Sequence, residues 1–224
     1  MSTQRQRETI GVLLSGGLDS SILLGRLLDE GRRVQPFFVR CHLPWEPAEL
    51  AAVQRFLTAI SCERLHSLVT LDLPVGDLYS QHWSVTGKDI PGGNSPDEAV
   101  FLPGRNALLI IKAAIWCQLH GIEELALATL ESNPFADATV EFFRNFEAAL
   151  NQGVSRPVRI LRPFAHLSKT EVMKLGGRYP LQHTFSCISP RDELHCGCCN
   201  KCAERREAFR AAQLPDPTPY HSDE

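Results

Sequence analysis

Short apolar runs rich in β-branched residues recur at Thr9 to Leu14, Val34 to Val39, Leu68 to Leu73 and Leu125 to Thr129, with a weaker one at Val158 to Leu161. Between them the apolar positions fall at helical spacing, most clearly over Leu18 to Glu30, Pro47 to Ile60, Asn106 to His120 and Val140 to Asn151. Later helical stretches run from Lys169 to Leu175 and from Cys199 to Ala212. Strands alternating with helices predict an α/β fold, a doubly wound parallel sheet covered on both faces and linked by right-handed crossovers. Ligands of such sheets bind at the carboxyl ends of the strands. Two long connections rich in Gly, Pro, Asn and Asp, Pro74 to Pro103 and Leu130 to Thr139, are expected to border that site. Pro215 to Glu224 reads as a frayed tail.

The segment Ser15-Gly16-Gly17-Leu18-Asp19-Ser20-Ser21 lies where the first apolar run, ending at Leu14, gives way to the first helix. Two glycines let backbone amides approach an anion, three serines add hydroxyl donors, and the helix directs its positive end at the same point. This is a phosphate cradle, and a nucleotide is expected in it. The Lys-Ser/Thr ending of the common P-loop and the spacing of a dinucleotide fingerprint are both missing, which argues against kinase-like phosphoryl transfer and against hydride transfer.

Toward the other end, Cys187, Cys196, Cys199 and Cys202 offer four thiolates with two CxxC steps, the donor set of a closed, structural zinc site. A redox-active dithiol is the competing chemistry. Cys198, adjacent to Cys199, points away from any such tetrahedron, and His195, directly before Cys196, reads as a loop side chain. Cys41, Cys62 and Cys117 read as fillers of apolar space. Lys201, Arg205, Arg206 and Arg210 make one basic helical face, solvated by default, or a meeting place for an acidic partner or a nucleic acid.

At 224 residues the chain can form one substantial domain with a small appendage. A net charge of −3 with interspersed signs argues against a generally basic nucleic-acid binder. Met1 to Glu8 is polar and lacks the pattern of a secretion signal, and no window approaches the roughly 18 apolar residues of a membrane span, so a cytoplasmic protein without a membrane partner is expected.

The glycine-serine loop resembles the SGGxDS signature of the ATP pyrophosphatase superfamily, which cleaves ATP between its α and β phosphates. With Cys187, Cys196-Gly197-x-Cys199-x-x-Cys202-x-x-Arg205 and Phe209 added, the chain resembles the 7-cyano-7-deazaguanine synthases of queuosine biosynthesis. Leu102-Pro103-Gly104-Arg105-Asn106 is similar to that family's Val-Pro-Ala-Arg-Asn step, and Leu167-Ser168-Lys169-Thr170-Glu171 to its Leu-x-Lys-x-Glu. Glu141-Phe142 and Phe146-Glu147-Ala148-Ala149-Leu150 fit its helix after the fourth strand. The resemblance implies an adenine nucleotide alpha hydrolase-like, Rossmann-like domain over 1–180, a zinc-binding helical segment over 181–214 packed on it, and a tail over 215–224.

It further implies a ligase using ATP, Mg2+ and Zn2+. The carboxylate of 7-carboxy-7-deazaguanine attacks the α-phosphate, ammonia displaces AMP to give an amide, and a second ATP dehydrates the amide to the nitrile. By position, Ser15, Gly16, Gly17, Asp19, Ser20 and Ser21 would hold the pyrophosphate, with Asp19 near magnesium or capping the helix and Leu14 and Leu18 beside the bound nucleotide. Lys169 and Arg105 would neutralise phosphate charge, or else sit in surface ion pairs. Asn106 would cap the adjacent helix, and Val39 and Arg40 would flank the adenine or ribose. A homodimer is implied as well.

Two loops depart from the family. Its Tyr-Pro-Asp-Cys-Arg-Pro-Glu-Phe becomes Phe135-Ala136-Asp137-Ala138-Thr139-Val140-Glu141-Phe142, and its Tyr-Gly-Gln-x-His becomes Arg40-Cys41-His42-Leu43-Pro44-Trp45. Both fall on the acceptor side, where His42, Trp45, Glu131, Asn133, Asp137, His82 and Trp83 are the candidates to rebuild recognition. Adenylation is therefore better supported than the identity of the acid. One alternative is a homologue that joins a related acid to another amine, on a protein for instance, and stops at the amide. Another, of a different class, is a non-catalytic zinc-stabilised nucleic-acid-binding module. A tRNA-thiolating pyrophosphatase is also conceivable, though no added RNA-binding domain is visible in this length.

Overall fold

The computed structural model describes residues 9–221. The stretch Met1 to Glu8, on which the localisation expectation partly rests, and the last three residues lie outside the described residues. Strands β1 (Thr9–Leu13), β2 (Arg33–Arg40), β3 (Val69–Asp72), β4 (Glu124–Ala126) and β5 (Arg159–Leu161) form one sheet in the order β3-β2-β1-β4-β5, every pair parallel. Its longer helices are α1 (Leu18–Asp29), α2 (Glu46–Ala59), α3 (Arg105–Leu119), α4 (Val140–Gln152), α5 (Lys169–Gly176) and α6 (Asn200–Ala212). Each lies within two residues of the stretch that helical spacing predicts. No helix among the described residues is long and apolar enough to cross a membrane.

The central strand explains why such a sheet reads as unbroken apolar sequence. Ile10, Val12 and Leu14 enter a core with α1, α2, α5 and α6 on one face. Gly11 and Leu13 face the other core, built by α3 and α4. Gly11 is small for a reason: a Cβ there would sit 2.8 Å from Phe37 Cε2 and 2.9 Å from Cys117 Sγ. Cys117 and Cys41 are buried fillers, and burial pushes the Cys117 thiol up to about 12. Cys62 is exposed and fills nothing, a correction to the sequence expectation.

From β1 the chain adds β2 and β3 on one side, then returns to place β4 on the other. This reversal opens a crevice at the carboxyl ends of β1 and β4, into which the Ser15–Ser21 loop feeds. A third apolar cluster caps those ends. It joins Cys41, Leu43 and Trp45 after β2, Val75, Val100 and Leu102 of the long connection, and Phe185, Cys187, Cys196, Cys199 and Cys202 of the C-terminal segment. Backbone bonds stitch the last two together, Gly93 N donating to Cys198 O at 2.8 Å and Asn200 N to Pro91 O at 2.9 Å.

Two expectations for the C-terminal region fail. Residues 215–221 are not frayed: His221 N donates to His195 O at 2.7 Å, and the Tyr220 ring lies under the Arg206 guanidinium, 4.0 Å from its centroid. Nor is the basic stretch of α6 one solvated face. Arg205 is 1% exposed and donates from Nε to Thr218 Oγ1 at 2.6 Å, from Nη1 to Ser186 Oγ at 3.2 Å, and from Nη2 to Leu181 O and Thr184 Oγ1 at 3.1 and 2.9 Å. Burial lowers its pKa, yet four acceptors make the charge tolerable. Arg205→Met should cost about 2–3 kcal/mol, because a buried carbonyl and hydroxyls lose their donor. Thermal melting, with proteolysis of residues 215–221 as a local readout, checks this.

Candidate active site

The phosphate loop is built by its own short side chains. Gly16 turns the chain at φ +83, and a Cβ on it would meet the Glu49 carbonyl oxygen at 3.2 Å and Val53 Cγ2 at 3.0 Å. Only glycine both adopts this φ and admits helix α2 this close. Ser15 N donates to Ser20 Oγ at 3.2 Å, Gly17 N to Ser15 Oγ at 3.3 Å, and Ser20 Oγ to Gly17 O at 3.3 Å. Helix α1 then starts at Leu18 with Gly17 as its N-cap and no side-chain cap bond. Its first amides are thus left for an outside acceptor, the requirement for an anion site. Asp19 is therefore not the cap.

Asp19 instead meets Lys169, whose Nζ donates to both carboxylate oxygens at 2.8 Å across a sequence separation of 150 residues. Lys169 sits at the first position of α5, where a cation opposes the helix dipole. The local sequence secures that helix anyway: Ser168 accepts from Glu171 N, and the Glu171 carboxylate accepts from Ser168 N at 2.8 Å, a full capping box. Lys169 also lies 3.7 Å from Glu204 of α6, which pairs with Lys201 at 2.6 Å. Burial disfavours the Lys169 ammonium, but Asp19 and Glu204 outweigh it and hold its pKa above the ordinary lysine value. For Glu204 burial is again outweighed, by Lys201 and Lys169, and its pKa falls.

Two cavities meet at this loop. The first, of 230 Å³, runs between the ends of β1, β2 and β4, with Leu14, Phe38, Val39, Leu127 and Asn106 on its walls. The second, of 310 Å³, lies under the cap, walled by Trp45, Trp83, Leu102, Phe135, Phe185 and Ile188. The Trp45 and Trp83 rings are stacked with centroids 5.6 Å apart. Lys169, Lys201, Glu204, Asn133, Ser186 and Arg205 bring polar groups to it. Ser15, Gly17, Asp19, Glu49 and Arg105 line both cavities and form the seam between them. Arg105 Nε is buried without a hydrogen-bond partner.

Leu14, Ser15, Gly17, Asp19, Ser20, Val39, Arg105 and Asn106 thus border the first cavity, and Leu18, Trp45, Asn133 and Lys169 the second. Trp83, an alternative candidate, also lines the second, whereas His82 bonds locally to Ser84. Other candidates serve elsewhere. Gly16 shapes the turn, and its carbonyl accepts from Phe185 N at 2.7 Å. Ser21 Oγ is sealed in the core without a partner. Arg40 pairs with Glu46 at 2.9 Å. His42, at φ +59, bonds to Asp72 at 2.6 Å and faces neither cavity. Glu131 is exposed and likewise lines neither. Asn106 is not the cap of α3, because Gly104 holds that position; its Nδ2 donates to Asp137 O at 3.0 Å and its backbone N to Asp137 Oδ2 at 3.0 Å. Asp137, 7% exposed, thereby ties the connection after β4 to α3 rather than facing a ligand. The sequence pattern does not single out Glu49 and Glu204, and Lys201 enters only as part of the basic helical face. The proximity of Glu204 and Lys201 to the cysteine motif was the available signal.

Cys187, Cys196, Cys199 and Cys202 are all buried, with their sulfurs within 4.8 Å of one another. Cys187 and Cys199 are 3.8 Å apart and Cys196 and Cys202 3.9 Å. Zn–S bonds of about 2.3 Å in a tetrahedron require sulfurs about 3.8 Å apart, so the cluster fits that ion. Backbone amides of Ser189 and Cys196 donate to Cys187 Sγ and that of Cys199 to Cys196 Sγ, support suited to thiolates. Cys198 is exposed and outside the group. His195 is no loose loop side chain: it is 3% exposed, packs on Phe185 and accepts from Ser186 N at 3.1 Å. Burial, seconded by Arg205, pushes it down to about 3, which keeps the ring a neutral acceptor.

The family model described as "Queuosine biosynthesis protein QueC" matches residues 9–213. The chain belongs to the QueC family. A QueC relative from Methanothrix thermoacetophila, named 7-cyano-7-deazaguanine synthase, is 29% identical over 93% of this chain and 96% of its own length. Another of that name, from Desulfotalea psychrophila, is 29% identical over 93% and 97%. Among solved structures, a 4-thiouridine synthetase in complex with RNA and ATP overlaps 92% of this chain and 50% of its own at 16% identity, with a TM-score of 0.49. The QueC match spans the phosphate loop, the seam and the cysteine cluster.

Proposed function

We propose that this chain uses ATP to adenylate 7-carboxy-7-deazaguanine and, with ammonia, converts it through the amide to 7-cyano-7-deazaguanine. The observation that carries this is the seam: a nucleotide-sided cavity and an aromatic-walled cavity share Ser15, Asp19, Glu49 and Arg105 at the mouth of the phosphate loop. A carboxylate entering the second cavity would meet an α-phosphate held in the first. The names of the curated relatives supply the substrate class.

The uncapped start of α1, with Lys169 and the unpartnered Arg105 Nε, suits the triphosphate, and Asp19 is the carboxylate suited to magnesium. Magnesium would supply positive charge to the departing pyrophosphate. Lys169 and Arg105 counter the charge that grows on the α-phosphate. Trp45 and Trp83 offer flat apolar surface to a deazapurine ring and keep water from the acyl-adenylate. The four thiolates would hold zinc in a closed shell with no position for substrate, so that metal anchors α6 and takes no part in the reaction.

A second outcome is favoured by one feature. Where the family pattern noted above has Cys and Arg after the fourth strand, Ala138 is buried and Thr139 caps α4, accepting from Phe142 N at 3.1 Å. A pocket without that guanidinium suits a homologue that stops at the amide or uses another amine. Incubation with ATP, magnesium, 7-carboxy-7-deazaguanine and ammonia, followed by mass analysis, decides between them. Nitrile with a second AMP supports the full sequence, amide alone supports the shorter one, and no acid-dependent pyrophosphate overturns both.

A further inference from the structure

Glu49 has no part in the chemistry above, yet it lies at the seam of both cavities, with its own carbonyl against the phosphate loop at Gly16. Resting on the adenylation proposed above, we propose that Glu49 is the general base that takes a proton from the amine as it attacks the acyl-adenylate. Nitrogen bonds to the acyl carbon, one N–H proton passes to a Glu49 carboxylate oxygen, and the C–O bond to AMP breaks with its electron pair leaving on the phosphate oxygen. The carboxyl then releases its proton to solvent. Acid, ATP and ammonia thus give amide, AMP, pyrophosphate and a proton, with no oxidant or reductant involved.

Position argues first. The amine must reach the acyl carbon where the two cavities join, and among the seam residues Asp19 pairs with Lys169 and is the carboxylate assigned to magnesium. Arg105 is a cation. Glu49 is the remaining acid or base there. Its environment argues second. Burial raises its pKa to about 8, Glu46 on the same helix adds to this, and Arg105 of α3 and the Trp45 side chain pull the other way. Cys41, at the end of β2, feels the same carboxylate. A carboxyl poised near neutral accepts a proton far better than one of ordinary acidity.

The sign for stability follows. A carboxyl raised from about 4.3 in the unfolded chain to about 8 in the folded one stabilises the protein below the unfolded value and loses that contribution as pH rises through about 8. Glu49→Gln should therefore melt at a higher temperature than wild type at pH 9, with the gap closing by pH 5. For function, wild-type amide formation, expressed per unprotonated ammonia, should climb with pH toward about 8, whereas the variant's should stay flat on that scale.

The decisive experiment separates the two half-reactions. Acid-dependent ATP–pyrophosphate exchange reads adenylation, ammonia-dependent amide formation reads capture, and hydroxylamine, which is unprotonated at neutral pH, traps the acyl-adenylate without a strong base. In Glu49→Gln we expect exchange and hydroxamate formation near wild type and amide formation down about a hundredfold or more. Equal loss of exchange and amide formation, or hydroxamate falling with amide, overturns the role of Glu49 while adenylation stands. Absence of exchange in wild type overturns both. Glu49→Asp, which keeps a base, should recover part of the amide rate; no recovery together with lost exchange counts against the proposal.

Discussion

Replacing Cys199 with serine should lower the melting temperature by about 10 °C or more and abolish ATP-dependent turnover. A closed four-thiolate zinc site contributes roughly 10–16 kcal/mol of apparent binding energy, and one kcal/mol moves the transition of a domain this size by about 2–4 °C. Losing one ligand forfeits a substantial part of that. The effect should reach the active site because Cys199 is also the N-cap of α6, the helix that carries Lys201 and Glu204 into the second cavity and Arg205 into the core. Metal content, melting temperature and acid-dependent pyrophosphate release, measured on one preparation, should fall together. A variant without bound zinc that kept its melting point would sink the structural role.

Lys169→Met should cut the adenylation rate by about 10²–10³ while leaving the fold intact, since losing a preorganised charge at a transferring phosphate costs on that order. The variant leaves the Asp19 carboxylate without its donor, so part of any effect could come from Asp19 alone. The double variant Asp19→Asn with Lys169→Met resolves this. If the two act as a unit, the double loses little more activity than either single, and its stability returns toward wild type. Additive losses would mean that the two residues act independently, and exchange unchanged in all three variants would mean that the pair is only a surface tie. ATP–pyrophosphate exchange and thermal melts supply both readouts.

Local pattern carried most of the architecture. Continuous apolar runs such as Ile10 to Leu14 mark strands covered on both faces, and Gly16 marks a turn whose positive φ and close approach of α2 call for glycine. The cysteine spacing made the cluster legible in the same way. What stayed hidden depends on residues far apart in the chain. The Lys169 and Asp19 pair joins the starts of two helices, and Asp137 reads as an acceptor-side candidate until its bonds to Asn106 are seen. Glu49 sits on an alanine-rich turn whose pattern gives no hint that the Trp45 side chain bonds to it and that the Arg105 charge acts on it. Arg205 misled for the complementary reason: its acceptors come from residues 181–186 and 218, which no periodicity in α6 records.

Residues 215–221 act as a strap across His195 and Arg206, beside cysteines that are no more than 4% exposed, whereas Cys62 and Cys198 are open. An alkylating reagent therefore meets a two-tier population: a fast pair on the intact protein, and a slow set that yields only once the strap has lifted. Timed labelling thus becomes a gauge of how firmly that end of the molecule is fastened.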